Sequence, residues 1–593
     1  MQDDQLYVTQ RIINACLREN VCKIMSLGKI IDFSELDLEF NWPEMKTDFW
    51  LKIEHVCPAI LYIPIIESHY MQEWQTTSAA WLKRTSEGVT YQSGFKHWLN
   101  SISHNLSLEE KKFFNDYIEE ANCAVEQRGL CQQAYFDRES LLKIPLNKIK
   151  GWHQQLLFSD QVASYLDHPY YPTARAKFGF DKKALMAYAP EFLTSFALNW
   201  VAIRNEKTTL TSSQLDCWPT FNEVGLSNSL INTHQLFPVH PLTFATLEKV
   251  NDDIVLAPRS AMQVLPTLSV RTVVVEAYPN IHIKVPLVMA TLGTKNIRLI
   301  KSSTIYDGYW FEKILTELEQ QDLKLKGLYS HCHEHHGGHV GDIKELAYIV
   351  RQYPSSMHNK MLVPIAALAS EMPDKRIYLS HLIDHFYQGN IHLWLDEYLT
   401  LLLSVHLRLW LKYGIALESN QQNAILAFST EEPLTLVMKD NDSARIFPSR
   451  FIDNADDSEY AQAQIELLID QRILVENEQS LAEMFTTITL QLDIAAIFEA
   501  IANYQLMPLQ GLYGELRKVI NIQLNKLDEE DINTQYARSF LFESNYQPAK
   551  YLLSSGSLLS KSVSGASDIN KFYGNTAPNF LHKDFLIKRK PCL

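Results

Sequence analysis

The sequence predicts a mixed α/β fold, with helical N- and C-terminal parts on either side of a central antiparallel sheet. Residues 1 to about 165 alternate helix-like stretches with turn signals, and helical patterns return beyond residue 455. Between about 180 and 300 the chain is rich in β-branched runs separated by Pro and Asn, which is typical of strands and turns. A chain of 593 residues is too long for a single core, so we expect two to four domains.

Local patterns predict the individual elements in chain order. A helix at 107–128 begins with Ser107 and has Glu110 three residues later, which is the pattern of a capping box. Apolar, β-branched runs predict strands at 254–257, 270–277 and 281–291. Further helices are expected at about 390–412, 458–474 and 493–504. The Ser- and Gly-rich stretch 554–566 predicts a mobile loop or a solvated surface turn.

Composition and charge narrow the possible functions. The formal net charge of -15 argues against nucleic acid as the main partner, because nucleic-acid-binding proteins usually carry a basic surface. The eight cysteines form no CxxC pair, which is typical of reduced thiols in a cytoplasmic protein. The first residues lack the basic and apolar regions of a signal peptide, and the longest uncharged runs are too short to cross a bilayer. We therefore expect a cytoplasmic protein without a membrane partner.

The most informative stretch is a predicted hairpin in which cations lie among apolar residues. Arg271 stands between Ser269 and Thr272, Lys284 lies in the following strand, and Arg298 comes shortly after it. Burying a cation among Val, Ile and Leu is unfavourable unless an anion compensates the charge. The hairpin therefore predicts a binding site for an anion of the polyphosphate kind.

The same hairpin predicts a register. A two-residue turn at Pro279 and the asparagine after it would place Lys284 opposite Val275. Alternation along the strands would then put Lys284 on the same sheet face as Ser269 and Arg271. A single β-bulge would break this arrangement.

Three further polar clusters follow one another along the chain: His168 with Lys177, the Pro-Val-His-Pro turn at 238–241, and residues 418–423 with Asp440. Taken alone, a His-Pro turn is more often structural than functional. Glu418, Asn423 and Asp440 carry the hard oxygen donors that Mg²⁺ prefers. A Glu- and Asn-rich stretch after a helix is, however, more often a polar cap than a metal site.

Two histidine features have simpler structural interpretations. The histidine-rich run 331–339 crowds its possible ligands within nine residues, whereas tetrahedral zinc sites draw ligands from two separated elements. We expect a solvated loop there, with adventitious metal binding and a functional metal site as alternatives. His406 lies in the apolar helix predicted at 390–412 and is expected to be a packed core residue.

In this order and spacing, the clusters resemble the siderophore synthetases that work independently of nonribosomal peptide machinery, the IucA/IucC-like family with a FhuF-like C-terminal region. The matching positions are His168-Pro-x-x-Pro with Lys177 and Gly179, Pro238-Val-His-Pro, Ser269-x-Arg271-Thr272, Lys284-x-Pro-Leu with Thr291 and Arg298, Glu418-x-Asn420-x-Gln422-Asn423, and Asp440. Each motif is weak alone, but together they are specific.

The resemblance implies an architecture and a reaction. The architecture is a cupped hand with a helical thumb at 1–165, β-rich fingers carrying the ATP-binding hairpin at 166–330, and a helical palm at 331–593, assembled as a homodimer. The implied ligands are ATP, Mg²⁺, citrate or a related polycarboxylate, and an amine or alcohol. A carboxylate would be activated as an acyl adenylate with release of pyrophosphate, and the nucleophile would then displace AMP.

The resemblance also implies residue roles. The triphosphate would contact His168, Ser269, Arg271, Thr272, Lys284 and Gln422. The acid would contact Thr291, Arg298, Asn420 and Asn423, and Mg²⁺ would be held by Glu418, Asn423 and Asp440. Arg271, Lys284, His168 and Arg298 would be the catalytic residues, because cations must neutralise the charge that concentrates when a carboxylate attacks the α-phosphorus.

Two positions depart from the family pattern, and several alternatives stay open. Asn420 stands where the family usually has histidine, and Lys439 where arginine is common; asparagine can hydrogen-bond but cannot carry a positive charge. The change at Asn420 weakens the assignment of the carboxylic acid substrate more than the assignment of ATP. The alternatives are a synthetase that accepts a monosubstituted citryl or succinyl intermediate, a ligase that forms an acyl phosphate and ADP, and a siderophore-binding protein without turnover.

Overall fold

The computed structural model describes residues 2–36, 47–247, 253–291, 293, 296–560, 563 and 572–583. It confirms the mixed α/β class, since helices and mainly antiparallel sheets alternate along the chain and the largest sheet lies in its middle. The cysteines within these residues are free thiols.

The N-terminal part combines helices with a six-stranded antiparallel sheet of order β1-β2-β3-β5-β6, in which β4 pairs with β3. Its elements are α1 (Gln2–Arg18), β1 (Lys29–Asp32), β2 (Phe49–Ile53), β3 (Ile60–Glu67), β4 (Trp74–Thr76), β5 (Ala80–Thr85), β6 (Gly88–Ser93), α2 (Phe95–Ile102), α3 (Leu108–Asp137), α4 (Glu139–Leu142) and α5 (Trp152–Ser164). The part expected to be a helical thumb therefore contains a sheet as well as helices. The helix predicted at 107–128 is present as α3, with the Ser107–Glu110 capping box formed.

The N-terminal sheet and the helices after it share one core. Residues of α1, α2 and α3 pack against the apolar face of the sheet. Trp81 of β5 and Trp98 of α2 are fully buried and meet edge to face, with ring centroids 5.4 Å apart. This packing fixes α1 against the rest of the molecule, which matters because α1 borders a cavity described below.

The central part is a nine-stranded antiparallel sheet of order β10-β7-β11-β12-β13-β18-β17-β8, with β9 paired to β7. Its elements, with those between them, are α6 (Lys182–Tyr188), β7 (Phe196–Arg204), β8 (Thr209–Leu210), β9 (His234–Val239), α7 (Pro241–Phe244), β10 (Ile254–Leu256), β11 (Ala261–Pro266), β12 (Thr272–Val275), β13 (Tyr278–Lys284), β14 (Leu287–Ala290), β15 (Ile297–Arg298), α8 (Ser302–Gln321), β16 (Tyr329–His331), β17 (His333–Val340) and β18 (Ile343–Gln352). The strands predicted at 254–257 and 270–277 are present with shorter bounds, whereas the stretch predicted as one strand at 281–291 is divided between β13 and β14. The sheet continues through β17 and β18, beyond the domain limit expected at residue 330.

The predicted hairpin exists as β12 and β13, but its register differs from the prediction. A bulge lies within the pairing, and Lys284 pairs with Thr272 rather than with Val275. Ser269 and Arg271 precede β12, in the connection from β11, so they do not share a sheet face with Lys284. These residues approach one another through the fold of that connection and not through strand alternation.

The histidine-rich run 331–339 forms β-strand, so the expectation of a solvated loop is wrong. It supplies the end of β16 and most of β17, and His331 and Glu334 are buried. His333 and His335 flank Glu312 of α8. The Nδ1 atom of His333 lies 3.1 Å from Oε1 of Glu312, and that of His335 lies 3.6 Å from it. The strand packs against α8 on this side and contributes Glu334 to the site described below.

The C-terminal part is mainly helical and carries a four-stranded sheet of order β16-β22-β21-β19. Its elements are β19 (Met361–Pro364), α9 (Tyr378–Tyr387), α10 (Ile391–Leu411), β20 (Ile415–Ala416), β21 (Ala424–Phe428), β22 (Thr435–Met438), β23 (Arg445–Ile446), α11 (Pro448–Asp453), α12 (Ser458–Glu466), α13 (Glu478–Phe485), α14 (Ala496–Asn503), α15 (Leu509–Asp528), α16 (Gln535–Phe542), β24 (Tyr546–Lys550) and β25 (Tyr573–Pro578). Helix α10 is central to this core, and its His406 is buried as predicted.

Two segments of the C-terminal part bear on sequence expectations. The helical stretch Glu478–Asn503, which includes a wide π-helical segment at Thr486–Ala495, is long and apolar enough to cross a membrane. Because 83% of its apolar window is buried inside the fold, it behaves as a core helix.

Within the stretch 554–566, residues Ser554–Leu558 form a buried helical turn, so the expected mobile or solvated loop is wrong for this portion. Residues 561–562 and 564–566 of the same prediction lie outside the described residues.

Candidate active site

A cavity of about 420 Å³ is lined by the central hairpin region, the turn that follows α5, and the segment between α10 and β23. All the candidate residues except Thr272 line it: His168, Ser269, Arg271, Lys284, Thr291, Arg298, Glu418, Asn420, Gln422, Asn423 and Asp440. Thr272 is buried behind this surface, and its Oγ1 lies 3.1 Å from the Oγ of Ser269. Thr272 therefore supports Ser269 instead of lining the cavity.

Arg271 is held in the cavity wall by backbone contacts. Its Nη1 donates to the carbonyl oxygens of Arg298 at 3.2 Å and Leu299 at 2.9 Å, while its buried Nε has no partner in the described part of the chain. Val270, the residue before it, has a left-handed φ of 64°, which turns the chain sharply into β12. Burial, together with the neighbouring charge of Arg298, lowers the pKa of Arg271 to about 9. The guanidinium is thus a charged group at neutral pH in a site that disfavours charge.

Arg298 faces the same cavity. Among the described residues its guanidinium makes no hydrogen bond and no ion pair. Burial lowers its pKa, while the carboxylates of Asp440, Asp442 and Glu418 act in the opposite direction. A planar guanidinium in this state is suited to bidentate binding of a carboxylate or phosphate.

Lys284 belongs to a buried ion-pair network centred on Asp440. Its Nζ lies 2.5 Å from Oδ1 of Asp440, and Arg351 pairs with Oδ2 of the same carboxylate. Arg351 also pairs with Glu334 at 2.6 Å, and Glu334 accepts a hydrogen bond from the backbone N–H of Asp440 at 2.9 Å. Although burial acts to raise it, the neighbouring cations hold the pKa of Asp440 well below its ordinary range. The network places Lys284 and holds the residue 440 loop, whose Asp440 has a left-handed φ of 55°.

A second carboxylate, Asp442, differs from Asp440. It lines the cavity, and burial together with the negative charge of Asp440 raises its pKa to about 6 despite the opposing charge of Lys284. A carboxylate with a raised pKa is one that a bound cation would stabilise.

His168 is neutral at physiological pH. Its Nδ1 accepts hydrogen bonds from the backbone N–H groups of Tyr170 at 3.4 Å and Tyr171 at 3.1 Å. This pattern assigns the ring proton to Nε2. Burial and the charges of Arg11, Arg18 and Lys550 lower the pKa of His168 to about 3. His168 can therefore donate a hydrogen bond into the cavity but does not supply a positive charge.

Glu418 and its neighbours form a tight turn on the opposite wall. Glu418 pairs with buried Lys550 at 3.5 Å, and the backbone N–H of Asn420 donates to the Glu418 carbonyl at 2.9 Å. The side chain of Asn420 caps the N–H of Gln422 at 3.1 Å, and the side chain of Asn423 donates to the Glu418 carbonyl at 3.4 Å. The amides of Asn420 and Asn423 thus partly serve their own turn.

The side-chain oxygens of Glu418, Asn423 and Asp440 are better suited to a magnesium ion bound together with substrate phosphates than to an ion held by the protein alone. The described residues contain no group of three His, Cys, Asp or Glu side chains placed to hold a metal ion. Asp440 is shared between Lys284 and Arg351, and Glu418 is paired with Lys550. Mg²⁺ usually keeps several waters and needs only one or two protein carboxylates beside substrate phosphates, and such carboxylates are present here.

Several residues of the site escaped the sequence-based assignment: Lys177 lines the cavity, whereas Arg351 and Glu334 support Asp440 without lining it. Lys177 belongs to the first motif but was given no role; its Nζ lies 2.5 Å from Glu191 Oε1, and both residues line the cavity. Arg351 and Glu334 were missed because they lie on β18 and β17, far from the motifs in sequence. Arg351 could have been found by the argument used for Lys284, since it directly follows the apolar run 346–350 of a strand. In the structure it is 1% exposed.

Comparison with protein-family models divides the chain into two matched regions. Residues 155–370 match the IucA / IucC family, and residues 392–559 match the family described as ferric iron reductase FhuF-like transporter. The first region contains the hairpin and the His168 turn. The second contains the turn at Glu418 and the loop at Asp440.

Similar proteins and structures agree with these matches. Staphyloferrin B synthase of Staphylococcus aureus is 23% identical over 67% of this chain and 72% of its own length. D-ornithine–citrate ligase of the same organism is 22% identical over 79% of this chain and 77% of its own length. L-2,3-diaminopropanoate–citrate ligase, also from that organism, is 27% identical over 50% of this chain and 54% of its own length.

Among solved structures, the petrobactin biosynthesis protein AsbB of Bacillus anthracis matches with a TM-score of 0.75 at 15% identity, over 98% of this chain and 96% of that one. The ATP-bound aerobactin synthetase IucA of Klebsiella pneumoniae matches with a TM-score of 0.69 at 14% identity, over 97% of this chain and 99% of that one. At these identities the structural matches establish a shared fold.

Proposed function

We propose that this chain, whose residues 155–370 match the IucA / IucC family and whose residues 392–559 match the FhuF-like family, is an ATP-dependent ligase of siderophore biosynthesis. It adenylates a carboxylate of citrate and joins it to an amine or alcohol. The observation that carries the proposal is the pair Arg271 and Arg298, two half-buried guanidinium groups that line one cavity. Nε of Arg271 is buried without a partner in the described part of the chain. Such groups favour a polyanion, and a nucleotide triphosphate beside a polycarboxylate meets that need.

The proposed reaction has two steps. A carboxylate oxygen of the acid attacks the α-phosphorus of ATP, the bond to the β-phosphate oxygen breaks, and pyrophosphate leaves. The amine or hydroxyl then attacks the activated carbonyl, loses its proton, and AMP leaves with the oxygen that came from the carboxylate. Both steps bring anions together or build negative charge, so fixed cations lower their barriers.

The residues of the cavity are suited to these steps. Ser269, Arg271 and Lys284 would bind the triphosphate, with His168 as a neutral donor and Gln422 beside it. Lys284 can serve in this way because one of its three N–H donors at most is needed for Asp440. A preorganised charge of this kind costs no reorganisation during the reaction.

The acid and the metal would occupy the remaining wall. Arg298 would hold a carboxylate of the acid, with Thr291, Asn420 and Asn423 beside it. Glu418, Asn423 and Asp440 would hold Mg²⁺ together with the substrate phosphates, and the ion would supply additional neutralisation of phosphate charge.

The relatives support citrate and an amine as the substrates. Two of them are named as ligases that join citrate to D-ornithine and to L-2,3-diaminopropanoate, and both of these nucleophiles are amino acids. One structure of the same fold is described as ATP-bound. A monosubstituted acid is a second candidate substrate, since Asn420 supplies hydrogen bonds but no charge at a position where the family usually has histidine.

Product analysis tests the proposal. Purified protein is incubated with Mg-ATP, hydroxylamine as nucleophile, and citrate, succinate or 2-oxoglutarate in turn. Release of pyrophosphate and AMP with citrate is expected. Release of ADP and phosphate would point to an acyl phosphate, and ATP binding without turnover with any acid would point to a monosubstituted substrate. Absence of ATP binding would contradict the synthetase and favour a siderophore-binding protein.

Two further properties accompany the proposal. A homodimer would give a mass near twice 68.4 kDa by light scattering. A cytoplasmic enzyme would be recovered with its thiols reduced, which alkylation and mass measurement would show.

A further inference from the structure

A second cavity, of about 140 Å³, lies between α1 and the turn that carries His168. Pro169 and Tyr170 of that turn line both this cavity and the large one. Arg11 and Arg18 of α1 line its other side, seven residues and therefore two helical turns apart. Neither arginine lines the large cavity.

Arg18 is a buried cation with unused hydrogen-bonding capacity. It is 5% exposed, its Nη2 donates to the carbonyl oxygen of Tyr170 at 2.9 Å, and its Nε has no partner among the described residues. The carboxylate paired with it, Glu19, is 3.8 Å away and accepts the backbone N–H groups of Leu553 and Ser554. Burial lowers the pKa of Arg18, as expected where compensation is incomplete.

Arg11 and Tyr170 have unused donors of the same kind. Nη2 of Arg11 donates to the carbonyl oxygens of His168 at 2.5 Å and Tyr171 at 2.7 Å, while its Nε is buried without a partner in the described part of the chain. The hydroxyl of Tyr170 is also buried without a partner there. Around one small cavity, three separate donors are thus taken from water and not satisfied by the protein.

These donors define the chemistry of a ligand. Two guanidinium groups and a phenol supply only donors to an anion, and guanidinium geometry matches a carboxylate. The cavity is many times larger than the space one water molecule needs, so it admits a carboxylate group with its α-carbon. Pro169 and Tyr170 form a wall that the two cavities share, so a ligand anchored here lies directly beside the large cavity.

We propose that this small cavity binds the carboxylate of the nucleophilic substrate, so that the amine joined to the acid is that of an amino acid. This inference rests on the proposed function. The large cavity already has Arg298 for the acid and Arg271 with Lys284 for the triphosphate. Arg11 and Arg18 are left for a third anionic group, and Tyr170 separates them from the reacting centre by one side chain.

The test compares amines that differ only in a carboxylate. Each carboxylated amine is paired with its decarboxylated counterpart: 2,3-diaminopropanoate with ethylenediamine, ornithine with 1,4-diaminobutane, lysine with 1,5-diaminopentane, and serine with ethanolamine. Pyrophosphate release is measured with Mg-ATP and citrate. We expect at least one carboxylated member to exceed its counterpart in kcat/KM by tenfold to a hundredfold, which is the worth of charge-assisted hydrogen bonds to a carboxylate.

Substitutions of Arg11 and Arg18 test whether the small cavity causes the preference for carboxylated amines. Arg18→Gln and Arg11→Gln should each reduce the ratio of the two kcat/KM values by about tenfold, mainly through KM for the carboxylated amine, and Arg18→Lys should restore part of it. Arg84→Gln is the matched control, because Arg84 is an exposed arginine of the same N-terminal part; it should leave the ratio unchanged. If Arg18→Gln does not fold by circular dichroism, Arg11→Gln and the wild-type ratio decide.

The outcomes separate the inference from the function on which it rests. Pyrophosphate release with citrate and hydroxylamine, but no preference for any carboxylated amine, would overturn the inference alone. A rise in KM for citrate in the arginine variants, with the amine ratio unchanged, would assign the cavity to the acid and also overturn it. Absence of ATP binding, together with no pyrophosphate release with any acid, would overturn both.

Discussion

Replacement of Arg271 by methionine separates stability from activity in a way that the cavity predicts. Methionine keeps much of the apolar stem of arginine and removes the guanidinium. The charged group is destabilising in the protein without ligand, because a base whose pKa is lowered on folding costs stability at every pH below its folded pKa of about 9. At pH 7 the full penalty is present, and it is relieved only as the pH rises above 9.

The expected magnitude follows from that pKa. At about 1.4 kcal/mol for each pKa unit, burial of the charge costs at most about 4–5 kcal/mol. The substitution also removes the hydrogen bonds from Arg271 to the carbonyl oxygens of Arg298 and Leu299, worth about 0.5–1.5 kcal/mol each. The variant should therefore be more stable than the wild-type protein by about 1–3 kcal/mol in the absence of nucleotide.

Denaturant unfolding with and without Mg-ATP is the assay. At a nucleotide concentration of about 100 times Kd the wild-type protein should gain about 2.7 kcal/mol, whereas Arg271→Met should gain almost nothing and release no pyrophosphate. Arg259→Met is the control, since Arg259 is an exposed arginine of the same part of the chain. A variant less stable than wild type without nucleotide would refute the desolvation argument. A variant that keeps the nucleotide effect would remove Arg271 from the phosphate site.

Two other predictions use the same cavity. Asp442→Asn should raise the free energy of unfolding at pH 8 by about 1–2 kcal/mol relative to wild type, because a carboxyl with a pKa raised to about 6 costs stability once it is ionised. This difference should vanish near pH 4, and an equal difference at both pH values would contradict the prediction. Ser269→Ala should lower kcat/KM for ATP by about tenfold, because one hydrogen bond to an anion is lost. Thr272→Val should have a several-fold smaller effect on kcat/KM, because Thr272 does not line the cavity. The reverse order of the two effects in steady-state kinetics would refute this assignment.

The elements with strong local patterns were predictable from sequence. The capping box at Ser107 identified the start of α3, and the apolar pattern identified α10 to within a residue at each end. The N-terminal sheet was missed because its strands are short and interrupted by turns. The run 554–558 was misjudged because Ser and Gly favour loops on average, whereas tertiary packing buries Ser555 and Ser557 here.

Strand register shows where local reasoning fails. The Pro279-Asn280 pair is a strong turn signal, yet both residues lie within β13. Pairing of β13 with β18 begins only at Ile281, so the ladder does not require the missing N–H of Pro279. The Pro-Asn pair shows only which backbone conformations are allowed locally, and pairing with the neighbouring strands determines which conformation is adopted.

The candidate site was predictable as a set of motifs but not as a network. Nearly all the residues named from the motifs line one cavity. The sequence pointed to them because each has a charged, hydroxyl or amide side chain in or beside an apolar stretch. The partners that hold them, Arg351, Glu334 and Lys550, come from β18, β17 and β24 respectively, and no spacing in the sequence connects these strands to Asp440 or Glu418. Arg11 and Arg18 reach the His168 turn only through the packing of α1.

The central claim is that the cavity adenylates a carboxylate, and the fate of one oxygen atom tests it most directly. Citrate labelled with ¹⁸O in its carboxylates is incubated with the protein, Mg-ATP and an amine, and the products are analysed by mass spectrometry. The account predicts that each AMP formed carries one ¹⁸O, because the carboxylate oxygen that attacks the α-phosphorus leaves with it. Label in inorganic phosphate, with ADP as the nucleotide product, would contradict the account and assign the chain to the acyl-phosphate class of ligase.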